Sequence, residues 1–535
     1  MSISICQSKA FIRRVTKEPI QFYIVLLINI IMVFSVKFFP CLDGPVHLNN
    51  SNILLDLLKG SNSLLSDYYS INSIIIPNWF SHFIIALFGL LVPIWLSEKF
   101  FIALYIFGLA FSFRLLIKQL SPQNAGLSIL IFPFAYTHLF SIGFYNYSFS
   151  FVFLFLALYY WLKTQDKENF KRYIVLFLFI TLTYFSGVLT YGFLGLILGF
   201  LIILRWIRKY SEDKNLKTNI IGALWEISKL LCISVPTLIL LFLFYRLTYF
   251  PPPGDSYPFI ELLNWLNNGR ILIAYAAQTE EIFTTQLIHI ILIIISLDFY
   301  QRYLTKKERA DTLWVRPGDF FIVPILITLV LFLFIPDDSS ARMMSYRYNV
   351  IFFMLLIAWV ASSGIEKKIN RVITLLIIVL HLTILFTHNK IIHSGIAAHA
   401  TIINDAGKVM RPGSVVLPVN LSDNWIEYHF SSYLGTNRPL VILDNYEVEM
   451  GWFPVVYDKK SLPKFQLGQQ NSVSGLRWFQ NEQVSVYKVI DYVFIYGYLR
   501  AIEDPKWEEL RKTLSNYYHL VEISKINYYL IYEKN

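Results

Sequence analysis

Apolar residues fall in long uncharged runs separated by short polar ones. The runs lie near 20–39, 75–95, 99–117, 125–142, 146–162, 173–188, 190–204, 226–249, 283–299, 319–336, 347–363 and 372–388. An α-helix rises 1.5 Å per residue, so about 20 residues cross a hydrocarbon layer roughly 30 Å thick. Most of these runs have that length. The stretch between Arg172 and Arg205 carries no charge. It is too long for one crossing, and Ser186-Gly187 and Tyr191-Gly192 are the expected breaks. The last 140 residues change character. Ser414–Val419, Leu440–Leu443, Tyr492–Tyr496 and Tyr528–Tyr532 are short runs rich in β-branched and aromatic residues, which predict strands. Pro505–Ser515 predicts a helix with Trp507, Leu510 and Leu514 on one side. The pattern therefore predicts a mainly α, polytopic transmembrane bundle over 1–394, with a first outer loop at 40–74, and a small α/β domain over 395–535.

Composition agrees with the pattern. The chain of 535 residues is 56% hydrophobic and 15% charged, where soluble domains are about 25% charged. Ordinary soluble, disordered and coiled-coil classes are excluded. The three cysteines, Cys6, Cys41 and Cys232, are scattered, which excludes a disulfide framework. Phe22–Phe39 follows Lys9, Arg13, Arg14 and Lys17 but has no small-residue cleavage site, so it reads as an uncleaved first helix.

Charge sets the expected orientation. The net charge of +10 arises in residues 1–394, at +11, while 395–535 carries −1. The N-terminus and loops 163–172, 205–217, 300–316 and 366–371 hold 21 Lys and Arg. The alternate loops hold four: Lys59, Arg270, Arg342 and Arg347. Cationic loops stay cytoplasmic, so the N-terminus is expected inside, and everything after about 390 outside. Twelve runs would return the C-terminus to the inside. The charge pattern instead requires an odd number, eleven crossings with thirteen as the alternative. One piece of 75–117, around Ser97-Glu98-Lys99, is then expected to be re-entrant or to lie along the interface. The basic excess belongs to topology, and no nucleic-acid partner is expected.

The most informative polar segment follows the first helix: Phe38-Phe39-Pro40-Cys41-Leu42-Asp43-Gly44-Pro45-Val46-His47-Leu48-Asn49-Asn50. Gly-Pro suits a turn or a first helical turn. In a helix starting there, Asp43, His47 and Asn50 share a face. Asp43 also suits a helix cap, and Asp before Gly-Pro is ordinary turn chemistry. Farther along, Arg342 and Arg347 stand in an outer loop, and arginine grips phosphate oxygens bidentately. Against that, Arg342 can pair with Asp337 or Asp338, and Arg347 can snorkel from a helix end. Arg270 is a third candidate cation, and Asp255 and Glu261 rank below Asp43 as acids. His381, His388, His393 and His399 have no zinc-like spacing. His82 and His138 read as interhelical hydrogen-bonders. No metal and no cofactor are expected. Trp425, Glu427, His429 and Leu443-Asp444-Asn445-Tyr446-Glu447 combine polar and aromatic groups, which suits either carbohydrate contact or domain docking.

A first helix, an outer loop carrying Asp43, the segment Ile76-Pro77-Asn78-Trp79 opening the next helix, many further helices and a C-terminal domain together resemble the GT-C superfamily of integral-membrane glycosyltransferases. Protein mannosyltransferases and aminoarabinose transferases are the similar members. The first loop has no DxD or ExD, and no WWDxG element is present. The resemblance implies sugar transfer from a polyprenyl-phosphate donor to an extracytoplasmic glycan, lipid or protein, with inversion. Asp43 would be the base, Arg342 and Arg347 the phosphate grip, and His47 and Asn50 the acceptor-positioning groups. Two rivals stand beside it: a transporter or flippase of polyprenyl-linked glycans, and a non-catalytic scaffold with a glycan-binding external domain.

Overall fold

The computed structural model describes residues 18–247, 254–308, 316–338, 342–436, 438–458, 465–466, 477–478 and 490–535. The basic residues Lys9 to Lys17, Pro251–Pro253 and Ser339–Ala341 lie outside them. The chain packs as two compact units: Met1–Met32 with Ala103–Asn389, and Val33–Ile102 with Lys390–Asn535. Val33–Ile102, which the sequence reading places in the 1–394 bundle, thus packs with the C-terminal residues.

The first unit is helical. Among the described residues, seven helices in the chain are long and apolar enough to cross a membrane. They include Ile94–Leu120, Val188–Asp213, Leu216–Leu247 and Met344–Ala361. Glu18–Phe34, Tyr145–Thr164 and Phe170–Ser186 add apolar helices of 17 to 20 residues. The uncharged stretch breaks at Gly187, where Phe170–Ser186 ends and Val188–Asp213 begins. An added Cβ there would meet Ser150 at 3.1 Å, so the break also lets two helices approach closely. Tyr191-Gly192 is no break and continues the helix.

One expected crossing takes another form. Residues 125–142 are not a continuous helix but 3₁₀ turns, Pro122–Ile131 and Pro133–Tyr136, followed by a short helix, His138–Ser141. Pro122 and Pro133 each open a turn. Irregular backbone at membrane depth is tolerated only where protein surrounds it. Ala125 to Tyr136 are indeed all buried. The buried Arg114 donates to the carbonyl of Ala125 at 3.1 Å and to Ser128 Oγ at 2.9 Å.

In the second unit, Phe80–Gly89 has only ten residues, a rise of about 15 Å, half a bilayer core. Ser81, His82, Ile85 and Ala86 are buried, and Phe83 and Leu87 are exposed. Such two-sidedness suits a helix lying along an interface. The rest of the unit is α/β. Nine strands occur among the described residues: β1 Tyr69–Ile71, β2 Val415–Leu421, β3 Val441–Ile442, β4 Val455–Tyr457, β5 Phe465–Gln466, β6 Arg477–Trp478, β7 Tyr492–Gly497, β8 Tyr518–Ile523 and β9 Tyr529–Lys534. Five form a mixed sheet in the order β3-β2-β7-β9-β8. β2 is parallel to both β3 and β7, and the β7–β9–β8 part is antiparallel. The predicted helix appears as a turn at Pro505–Trp507 and the helix Glu508–Tyr517, whose Leu510 and Leu514 enter the core with Trp507. The first outer loop joins this core directly. β1 pairs antiparallel with β4, and Ile53, Leu54, Leu65 and Tyr69 share a hydrophobic cluster with β2, β3 and β7.

Close packing here generates a stability prediction. An added Cβ at Gly407 would lie 2.4 Å from the backbone oxygen of Leu434, whereas one at Gly192 would meet nothing. Backbone cannot yield as a side chain can, and overpacking costs about 1–3 kcal/mol. Gly407→Ala is expected to lower the melting temperature of the purified protein, and Gly192→Ala to leave it unchanged or raise it.

Candidate functional site

The site begins where the first helix stops. Pro40 cannot donate to a helix ladder, and the chain turns through Cys41 and Leu42 into Gly44–Leu57, with Pro45 in the first turn. Asp43 occupies the cap position, yet its side chain makes no cap hydrogen bond. The thiol of Cys41 accepts the Gly44 N–H instead, at 3.1 Å. The capping chemistry available to Asp43 is therefore unused, and its carboxyl points to other partners. It is 7% exposed. Burial pushes its pKa up to about 7, with His47 opposing the rise, Glu447 adding to it, and a hydrogen bond from Tyr446 opposing it.

His47 and Asn50 lie on the same helix and meet one acid. His47 Nδ1 is 3.0 Å from Glu447 Oε1, and Asn50 donates to Glu447 Oε2 at 2.8 Å. His82 joins from Phe80–Gly89, with Nε2 3.0 Å from Glu447 Oε2 and 3.2 Å from His47 Nδ1. Asn445 exchanges a further bond with Asn50, its Nδ2 donating to Asn50 Oδ1 at 2.6 Å. Burial raises the Glu447 pKa, but His47 and His82 outweigh it and hold this carboxyl well below its ordinary value. Glu447 is thus an ionised carboxylate, and its charge helps keep Asp43 neutral.

His429 extends the cluster. Its Nε2 is 3.9 Å from Asp43 Oδ1 and its Nδ1 is 4.0 Å from Asp444 Oδ2. Its ring packs on Tyr446, with centroids 4.8 Å apart. Burial pushes the His429 pKa down to about 4 and that of Asp444 up to about 7. Two carboxyls poised near neutrality therefore flank a neutral imidazole. Glu427 plays a different part. It accepts from Ser422, His399 and Tyr528 at 2.5, 2.7 and 2.6 Å, which ties together the chain around it.

His47, His82 and Glu447 each offer one ligand atom, and these atoms lie within 4.8 Å of one another. Two imidazole nitrogens facing each other and one carboxylate form a donor set suited to a zinc-like divalent ion. These three residues are far apart in the chain, so no ligand spacing marks them in the sequence. His47 and Asn50 were legible from helical periodicity. His82 is read from sequence as an interhelical hydrogen-bonder, which its contact with His47 fits, and His429 and Glu447 only as members of polar–aromatic runs; none of the three is placed beside Asp43 by the sequence. Their only signals were the isolated histidine and the two polar–aromatic runs.

The arginines belong to the other unit. Arg342 is exposed, with φ +52°, and its guanidinium makes no ion pair among the described residues. Asp337 accepts the backbone N–H of Ser345 at 2.9 Å. Arg347 is half-buried and lies over Phe144 and Tyr147 at 4.7 and 5.7 Å from the ring centroids. Its Nε donates to the carbonyl of Arg342 at 3.2 Å. Arg270 lies over Tyr346 at 5.7 Å. Asp255 and Glu261 are exposed.

No protein-family model and no curated protein matches this chain. Among solved structures it resembles ArnT from Cupriavidus metallidurans, determined bound to undecaprenyl phosphate. The TM-score is 0.52 at 11% identity, covering 96% of this chain and 97% of that one. The chain thus has the polytopic membrane fold of that aminoarabinose transferase from end to end, and is an integral membrane protein.

Two outcomes follow from the Glu447 cluster. Breaking a buried pair from one side costs about 3–5 kcal/mol, so Glu447→Gln is expected to lower the melting temperature markedly. Zinc added to the purified, chelator-treated protein is expected to raise the melting temperature of the parent and not that of Glu447→Gln.

Proposed function

We propose that the chain is a membrane glycosyltransferase that moves a sugar from a polyprenyl-phosphate donor to an extracytoplasmic glycan, lipid or protein. The observation that carries this reading is Asp43, a buried carboxyl at a helix start that forgoes its cap bond and titrates near neutrality. The end-to-end fold likeness to ArnT, itself solved with undecaprenyl phosphate, supports a lipid-phosphate donor. The orientation follows the distribution of Lys and Arg, with the N-terminus cytoplasmic and the C-terminal residues outside.

In this reading the acceptor hydroxyl is a poor nucleophile until its proton is taken. A base works best with a pKa near the working pH, and burial brings Asp43 there. Asp43 receives the proton as the acceptor oxygen attacks the anomeric carbon. The sugar–phosphate bond breaks and the lipid phosphate leaves as an anion. Direct displacement inverts the anomeric centre and needs no second carboxylate as nucleophile. The leaving phosphate needs cations more than an acid. Arg342 is suited by its exposed guanidinium, and Arg347 by its aromatic seat. Arg270 is the alternative. His47 and Asn50 hold Glu447, and so act on Asp43 through its charge. A transporter built on charges inside the bundle accounts less well for an uncapped acid in the α/β unit, and a scaffold has no use for its near-neutral pKa.

Asp43→Asn is expected to reduce sugar transfer by about 10²–10⁴, measured with a polyprenyl-phosphate sugar and membrane acceptor. Unchanged transfer would refute the assignment. Protonated Asp43 cannot act as base, so the parent's kcat/KM is expected to fall about tenfold per pH unit below about 7. Stability runs the other way. The folded pKa lies above the unfolded value, so the folded state favours the neutral acid. That contribution is complete below the unfolded pKa and is lost as pH rises through about 7. Asp43→Asn is therefore expected to melt no lower than the parent at pH 8, which separates lost catalysis from lost folding.

A further inference from the structure

Buried polar atoms without a partner are uncommon, because each costs about 1–3 kcal/mol. Four of them lie on the helix that follows Asp43 and on a neighbouring 3₁₀ segment with the residue that precedes it. The 3₁₀ segment Phe430–Thr436 runs beside the helix Gly44–Leu57. At one end, His429 approaches Asp43 at 3.9 Å. At the other, Asn52 donates to the carbonyl of Gly435 at 2.7 Å, and a Cβ on Gly435 would collide with the amide of Asn49. The two elements thus stay together from Asp43 to Asn49, six steps and a rise of about 9 Å.

Side chains three apart in a 3₁₀ helix eclipse one another. Ser432 and Gly435 therefore share an edge, and His429 stands one step before Ser432 on the same spacing. Along this track His429 Nδ1, Ser432 Oγ and both Asn49 amide atoms have no hydrogen-bond partner among the described residues. Asn49 and Ser432 are 1% and 0% exposed, and His429 is 7% exposed. None of these three residues is a Lys or Arg, so the track is poorly suited to phosphate. An amide and a hydroxyl each both donate and accept, which is what a sugar hydroxyl needs from its site.

We infer that Asn49, Ser432 and His429 form a subsite for the hydroxyls of a sugar ring, placed so that the ring lies against Asp43. The identity of the ligand rests on the glycosyltransferase reading. The existence of the subsite rests on the unpartnered atoms. A Gly at 435 is required because the Asn49 amide packs where a Cβ would stand.

The test is saturation-transfer NMR on the full-length protein in nanodiscs, with a mixture of glucose, galactose, mannose and N-acetylglucosamine. Sugar detergents are avoided because they would compete. The parent and Asp43→Asn are both expected to saturate at least one sugar, and Asn49→Ala and Ser432→Ala to reduce that signal at least tenfold. The melting temperatures of both alanine variants are expected to match or exceed the parent's, since an unpaired buried group has been removed. Adding a polyprenyl-phosphate hexose distinguishes two sources of the ring. Displacement of the free sugar assigns the subsite to the donor, and persistence assigns it to the acceptor. Equal signals from the parent and both alanine variants, or none from the parent, would overturn the inference and leave these atoms to ordered water. Binding that survives in Asp43→Asn while Asp43→Asn retains full transfer would uphold the subsite and refute the base.

Discussion

One buried anion organises the candidate site. Glu447 comes from a five-residue helix in the C-terminal part of the chain, yet its carboxylate is held by His47, His82 and Asn50 from residues near the N-terminus. A carboxylate out of water is tolerable only when opposite charge and hydrogen bonds surround it. Each of those partners is therefore fixed in turn. The helix Gly44–Leu57, the short helix Phe80–Gly89 and the α/β sheet are joined at this point, and the β1–β4 pairing and shared apolar cluster enclose it.

The consequence for Asp43 is electrostatic. Left in water, it would be ionised far below neutrality. Here burial dominates, and a second negative charge nearby makes ionisation harder still. The same low-polarity surroundings push Asp444 upward and His429 downward. Two carboxyls that would be uninformative on a surface thus change protonation around neutral pH, beside an imidazole that stays neutral there. An acid in that condition can take a proton from a substrate and later release it, which a capping Asp bonded to backbone amides cannot do.

Much of the fold was legible because a bilayer imposes strict lengths and patterns. Uncharged runs located most of the helices, and Gly187 marked the break in the longest one. Four of the five strands of the C-terminal sheet showed in their β-branched and aromatic runs, and β8 did not. What the pattern could not reveal was the form of 125–142. Hydropathy reports that a segment is apolar, not whether prolines 122 and 133 leave it as turns wrapped in protein. In the site, His47 and Asn50 followed from helical spacing off Asp43. Glu447 and His82 did not, since they reach the site only through tertiary packing and carry no spacing of their own. Asp43's uncapped state was equally hidden, because Cys41 supplies the missing acceptor through a contact no motif describes.

The proposed reaction is a single displacement in which Asp43 deprotonates the acceptor and no protein group attacks the sugar. The most direct measurement is the anomeric configuration of the transferred sugar, determined by NMR on product made from a donor of known configuration. Inversion is the predicted result. Retention would contradict a single in-line displacement and the role proposed for Asp43.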